Sequence, residues 1–69
     1  MTDLQCSAKG CPALASWALL WNNPKLHSDE RRKVWLACSL HRETLEEFLT
    51  LRSFLRETVP ADRIPPGAG

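Results

Sequence analysis

The sequence predicts a small α+β domain held together by a metal ion, and three observations predict it. Two apolar runs, Ala13 to Asn22 and Lys33 to Ala37, alternate with period two as the strands of a β-hairpin do. A polar segment of helix-forming composition follows, from about Ser39 to Arg52. Bracketing the hairpin are two pairs of soft donors, Cys6 with Cys11 and Cys38 with His41. Three thiolates and one imidazole form a complete ligand set for one tetrahedral zinc, which borderline-soft sulfur and nitrogen select over magnesium or calcium.

Size makes such a staple necessary. A chain of 69 residues holds one domain, and a core of that size rarely supplies more than roughly 3–5 kcal/mol unaided. A structural Zn2+ contributes an apparent free energy of about 10–16 kcal/mol in small peptides, enough to decide whether the chain folds. The cysteine count of three leaves a thiol over in any disulfide framework. Met1 to Gln5 lacks the basic region and apolar core of an export signal. Both features point to a reducing cytoplasm, where cysteine pairs more often mean metal than cross-link. The longest apolar run is too short to span a membrane.

Taken in order, Cys6-Ser7-Ala8-Lys9-Gly10-Cys11 reads as a zinc knuckle, with Gly10 free to take the positive φ that turns two sulfurs toward one ion. Pro12 blocks helix continuation. In the first strand Ala15, Trp17, Leu19 and Trp21 share one face, and the two tryptophans favour strand over helix. Asn22-Asn23-Pro24 ends it as a turn. The polar stretch that follows holds His27, read as a loop residue and not as a fifth ligand, because the tetrahedral set is already full. Val34 and Leu36 face one way in the second strand, Trp35 and Ala37 the other.

Ser39 is the expected N-cap of the helix, placing His41 in its first turn, where free amides offset the charge on zinc-bound sulfur. Leu45, Phe48 and Leu49 lie on the same face as Cys38 and His41 and would pack over the hairpin. Arg52 would interrupt that stripe if the helix ran on to Thr58. Phe54 to Val59 is therefore read as a short extended piece, a third strand, with one unbroken helix as the competing reading. The zinc-binding domain spans 1–59, and 60–69, rich in proline and glycine, is a flexible tail.

Knuckle, hairpin, then a helix whose start carries the last two ligands: this order resembles the treble-clef arrangement of small zinc domains, from Cys6 to about Arg52. The resemblance makes Cys6 and Cys11 the knuckle ligands and Cys38 and His41 the helix-start ligands. The first pair departs from the common form, with four intervening residues where two are usual. The wording around Cys11, Trp17, Trp21-Asn22-Asn23-Pro24-Lys25-Leu26-His27, Cys38, His41 and Phe54-Leu55-Arg56-Glu57 is also similar to short, largely uncharacterised actinobacterial proteins. Some of these are labelled acetone carboxylase, although no nucleotide or carboxylation site is visible in this chain.

Function follows from the closed ligand set. A catalytic zinc keeps one position open, so four protein ligands argue for a structural metal and against an enzyme. Oxidation of zinc thiolates is chemically allowed, but no feature singles it out. Nine Lys and Arg against eight Asp and Glu leave a net charge of +1, short of the excess expected in a dedicated nucleic-acid domain. Three tryptophans and the Arg31-Arg32-Lys33 patch nevertheless keep an RNA- or ribosome-associated role open as the alternative. The favoured reading is a protein-interaction module with an unidentified partner or a second copy. With Ala15, Trp17, Leu19, Trp21, Val34 and Leu36 assigned to the core, Ala18, Leu20, Trp35 and Ala37 fall on the uncovered face of the hairpin. Leu20 and Trp35 would be the centre of the contact surface.

Overall fold

The computed structural model describes residues 4–68. It is an α+β fold: β1 (Trp17–Trp21), β2 (Lys33–Ala37), α1 (Arg42–Leu51), β3 (Leu55–Pro60) and a single 3-10 turn at Ala61–Arg63. The strands form one antiparallel sheet in the order β2-β1-β3. The third strand expected at Phe54 to Val59 is present, and the unbroken helix is not.

Central β1 is paired along both edges, and residues on both of its faces are buried: Ala18, Leu19 and Leu20 in succession are 0%, 0% and 2% exposed. A strand covered on both sides needs apolar residues in succession, and WALLW supplies them. The hairpin register pairs Trp17 with Ala37, Leu19 with Trp35 and Leu20 with Val34. Directly opposed residues share a face, so Trp35 and Ala37 accompany Trp17, Leu19 and Trp21 beneath α1. Val34 and Leu36 lie on the other face with Ala18 and Leu20.

This corrects the expected contact surface. Leu20 is buried, and the half-buried Trp35 packs against the core of Leu19, Ala37 and Leu49. Val34 and Leu36 were expected in the core beside Trp17, Leu19 and Trp21, but a one-residue choice of register inverts every side chain on a strand, and the observed pairing puts Trp35 and Ala37 there instead. The 22–32 connection is too long to dictate that choice. It is ordered by Asn22, 1% exposed, whose Nδ2 donates to the carbonyls of Ser28 and Arg31 at 2.7 Å each.

Aromatic side chains fill the far end of the covered face. Trp21 stacks on Phe54 with centroids 6.0 Å apart and meets Trp35 edge-on at 5.5 Å, and Trp35 lies 5.5 Å from Phe48. Thr58 on β3 donates a 2.6 Å hydrogen bond to Glu46 and so ties the opposite flank of the helix to the sheet. Pro60 pairs with Trp17, and the Ala61 amide donates to the Ser16 carbonyl at 2.9 Å. Ordered structure therefore runs past the boundary expected at residue 59.

Two boundaries of α1 differ from expectation. Its N-cap is His41 and not Ser39, because the amides of His41 and Arg42 both donate to the Cys38 carbonyl and fold 38–41 into a separate turn. At the C-terminus Ser53 takes φ +58 and its amide donates to Thr50, while the Phe54 amide donates to Leu49. This is a Schellman closure with serine in the left-handed position glycine usually holds. Phe54 packs beside Leu49, completing the hydrophobic contact of that motif.

Candidate metal centre

The site is assembled from two turns that the sheet brings together. Around the first, Gln5 and Leu14 form an isolated antiparallel bridge, the Cys6 amide donates to Ala13, and the Ala15 amide donates to Leu4. These bonds close residues 6–13 into a loop. Within it the Cys11 amide donates to Ala8, and Gly10 takes φ +79, the left-handed turn expected of it. Two hydrogen bonds then fasten the loop to the edge of β2: Ser7 N–H to the Leu36 carbonyl at 2.7 Å, and Leu36 N–H to Ser7 Oγ at 2.9 Å. Two residues beyond Leu36 the chain reaches Cys38, and the turn to α1 swings His41 back over it.

Cys6, Cys11, Cys38 and His41 therefore converge, with their ligand atoms all within 4.8 Å of one another. Cys11 Sγ is 3.8 Å from Cys38 Sγ. His41 Nδ1 lies 3.2 Å from Cys38 Sγ and 3.7 Å from Cys6 Sγ. An ion bound tetrahedrally at about 2.3 Å from sulfur and about 2.0 Å from nitrogen needs S···S edges of about 3.8 Å and S···N edges of about 3.5 Å. The Cys11–Cys38 and Cys6–His41 separations are close to those edges, the Cys38–His41 separation is shorter, and Nδ1 is the ring nitrogen turned toward the sulfurs. All four expected ligand residues are brought together, and the set can hold a metal ion. His27 stays outside it: its Nδ1 accepts from the Asn23 amide at 3.1 Å, and its ring meets Trp21 edge-on.

The sulfurs are not equivalent. Burial raises the Cys6 thiol, but donation from the backbone amides of Cys38 and Ala8 and from the Cys11 and Cys38 thiols outweighs it and holds Cys6 at about 7. Cys11 moves the other way. The Ala13 backbone favours its thiolate, yet lost hydration, the Cys6 and Cys38 sulfurs and the charge on Cys38 together keep its proton on. Cys6 and Cys38 are buried while Cys11 and His41 are half-buried, so one side of the cluster is reachable from solvent.

Ser7 was not legible as part of the site. Its hydroxyl accepts the Leu36 amide and sets the distance between knuckle and hairpin, a role without spacing signature in the sequence. Ser39 is exposed, and no side-chain bond caps the helix. No helix among the described residues is long and apolar enough to cross a membrane. Comparison with known proteins adds no family assignment, since no protein-family model, no curated protein and no solved structure matches the chain.

Proposed function

We propose that the chain is a non-enzymatic, zinc-stabilised interaction module of treble-clef type, working in the cytoplasm, in which Cys6, Cys11, Cys38 and His41 hold one structural Zn2+. The observation that carries the metal reading is the set of donor spacings, 3.8, 3.7 and 3.2 Å, formed by side chains from both ends of the fold. Zinc suits three thiolates and one imidazole better than the hard cations do, and four protein ligands leave no position for substrate. The zinc would supply charge neutralisation and a cross-link between knuckle and helix start. The residues around it supply the order: Ser7 and Leu36 fix the spacing, and the Ala8 amide, 3.5 Å from Cys6 Sγ, offsets negative charge on sulfur.

Protein contact is favoured over RNA by where the tryptophans and arginines go. Trp17, Trp21 and Trp35 all pack on the core and are not displayed as a stacking platform. Arg32 turns its guanidinium back to the carbonyls of Asp29 and Arg31. Apolar surface is instead exposed along the helix, where Phe48 and Leu51 are 43% and 77% accessible. Metal analysis and affinity capture test the two halves of the proposal. One zinc per chain, lost in Cys38→Ser, and a protein captured by the zinc-loaded chain but released by chelator are the expected results. A metal-free protein with full cooperative unfolding refutes the first half, and retention of RNA sensitive to nuclease refutes the second.

A further inference from the structure

We infer that Cys11 is a modification site: the sulfur at which hydrogen peroxide enters the metal cluster, couples Cys11 to Cys38 and releases the zinc. This inference rests on the metal half of the proposed function and adds a chemical response to it. Of the three thiols, Cys6 and Cys38 are buried and Cys11 is not. A hollow of about 430 Å3 opens beside Cys11, lined by Gln5, Cys6, Ala8, Gly10, Cys11 and Pro12. Gly10 keeps that approach free: where a Cβ would stand, no described residue other than its chain neighbours comes within 4 Å. Peroxide is small and needs no shaped pocket, only a thiolate that it can touch.

The other two sulfurs differ in ways that set the order of events. Cys6 also borders the hollow, but it is 6% exposed, and its Sγ takes the Ala8 amide at 3.5 Å, a bond that draws on its lone-pair density. Cys38 is 5% exposed and lies outside the lining of the hollow, so oxidant from solvent does not meet it first. Its Sγ stands 3.8 Å from that of Cys11, within reach as the second sulfur.

The chemistry balances in two steps. A lone pair of the Cys11 thiolate attacks one peroxide oxygen, the O–O bond breaks, and hydroxide leaves to become water with a solvent proton, which leaves Cys11 as its sulfenic acid. The Cys38 thiolate attacks that sulfur, the S–S bond forms as the S–O bond breaks, and the second hydroxide leaves as water in the same way. Two thiolates have given up two electrons and the peroxide has taken them. Cys6 and His41 then remain as donors, half the number that a tetrahedral zinc takes. Disulfide and free zinc therefore appear together. The knuckle stays tied to the turn before α1 by a covalent bond in place of the metal, and a thiol reductant with Zn2+ resets the site.

The test uses the full zinc-loaded chain, its zinc content measured first, and hydrogen peroxide below one equivalent. Released zinc is followed with a chromophoric indicator, and thiols are mapped by mass spectrometry with dimedone present to trap sulfenic acid. Early dimedone label on Cys11, and without dimedone one zinc released per Cys11–Cys38 disulfide, are the expected results. Gln5→Trp, which adds bulk at the exposed rim of the hollow and touches no ligand side chain, should slow release at least about threefold with zinc content unchanged. Leu26→Trp, on an exposed residue outside the lining of the hollow, should leave the rate as it was. First label on Cys6 or Cys38, zinc retained through peroxide treatment, or a Gln5→Trp rate equal to that of the unaltered chain overturns the inference while the metal reading stands. If Gln5→Trp loses zinc, the labelling of the unaltered chain decides alone. A purified chain without zinc removes the metal reading, and this inference with it.

Discussion

Cys11 Sγ stands 3.8 Å from Cys38 Sγ although the two residues are 27 positions apart in the chain. The intervening segment includes the whole hairpin, so the contact ties the knuckle to the turn before α1. With an ion between the four donors, that distance is one edge of the coordination tetrahedron. The same approach leaves the two sulfurs placed to couple if oxidation strips the ion away. Peroxide acting on the folded, zinc-loaded protein should therefore give Cys11–Cys38 as its first disulfide, two thiolates giving one S–S bond as the metal is released and the peroxide is reduced to water. Peptide mapping checks the pairing, and a predominant Cys6 cross-link would refute it.

Metal removal should also unfold the chain. Among the described residues seven apolar ones are buried, Cys6, Ala18, Leu19, Leu20, Ala37, Cys38 and Leu49, and two of them are candidate metal ligands. A core so small leaves folding dependent on metal binding. Chelation is expected to abolish the cooperative thermal transition, measured by circular dichroism, and stoichiometric Zn2+ should restore it. A sharp transition in the apo protein near the holo midpoint would show that the sheet and helix stand alone.

The thiols also set how binding responds to pH. A metal takes the thiolate, so each ligand still protonated must release its proton on binding. Cys6, held at about 7, is largely ionised in mildly alkaline solution, whereas Cys11, shifted upward, is not. Acidification through about 7 therefore adds Cys6 to the groups that compete with the metal. The slope of log affinity against pH should steepen by one proton on the acid side of that point. Zinc titrations with a chromophoric competitor across the range measure it. In Cys6→Ala, the steepening at this pH should vanish along with one ligand.

Trp35 belongs to the packing beneath α1. It follows Val34 in β2, opposes Leu19, and fills the space between Trp21 and Phe48. Full truncation of a buried tryptophan costs roughly 3–5 kcal/mol, and half-burial brings Trp35→Ser to about 2–4 kcal/mol. Denaturant unfolding of the zinc-loaded variant measures this. A loss under 1 kcal/mol would mean the ring contributes little to packing beneath α1.

That tryptophan marks the limit of what could be read from sequence. The ligand set, the glycine turn at Gly10, the hairpin and the third strand were all legible, because each rests on residue type and short spacing. The pairing of faces was not. The 22–32 loop that joins β1 to β2 is gathered by the Asn22 side chain on the Ser28 and Arg31 carbonyls, an arrangement that neither strand encodes by itself. The same holds for Ser7, whose bond to Leu36 spans 29 positions. Burial on both faces of β1 was hidden too, since the run was read as alternating and an alternating strand is expected to be covered on one face.

The end of α1 gives the last prediction. Ser53 sits at φ +58, a conformation that brings Cβ close to backbone and costs a non-glycine residue about 1–2 kcal/mol. It is held there because its amide donates to Thr50 and the Phe54 amide to Leu49, both at 2.9 Å, and because Phe54 must turn inward to stack on Trp21. Glycine adopts the same φ without the steric penalty but loses more entropy on folding. Ser53→Gly is therefore expected to stabilise the zinc-loaded protein by a net of about 0.5–1 kcal/mol. Ser53→Val, β-branched and more crowded at positive φ, should destabilise it by at least 1 kcal/mol or so. Both changes lie on an exposed residue outside the metal cluster and should leave zinc content untouched. Equal stability of the glycine and valine variants in denaturant unfolding would mean that the left-handed closure at Ser53 is not what ends the helix.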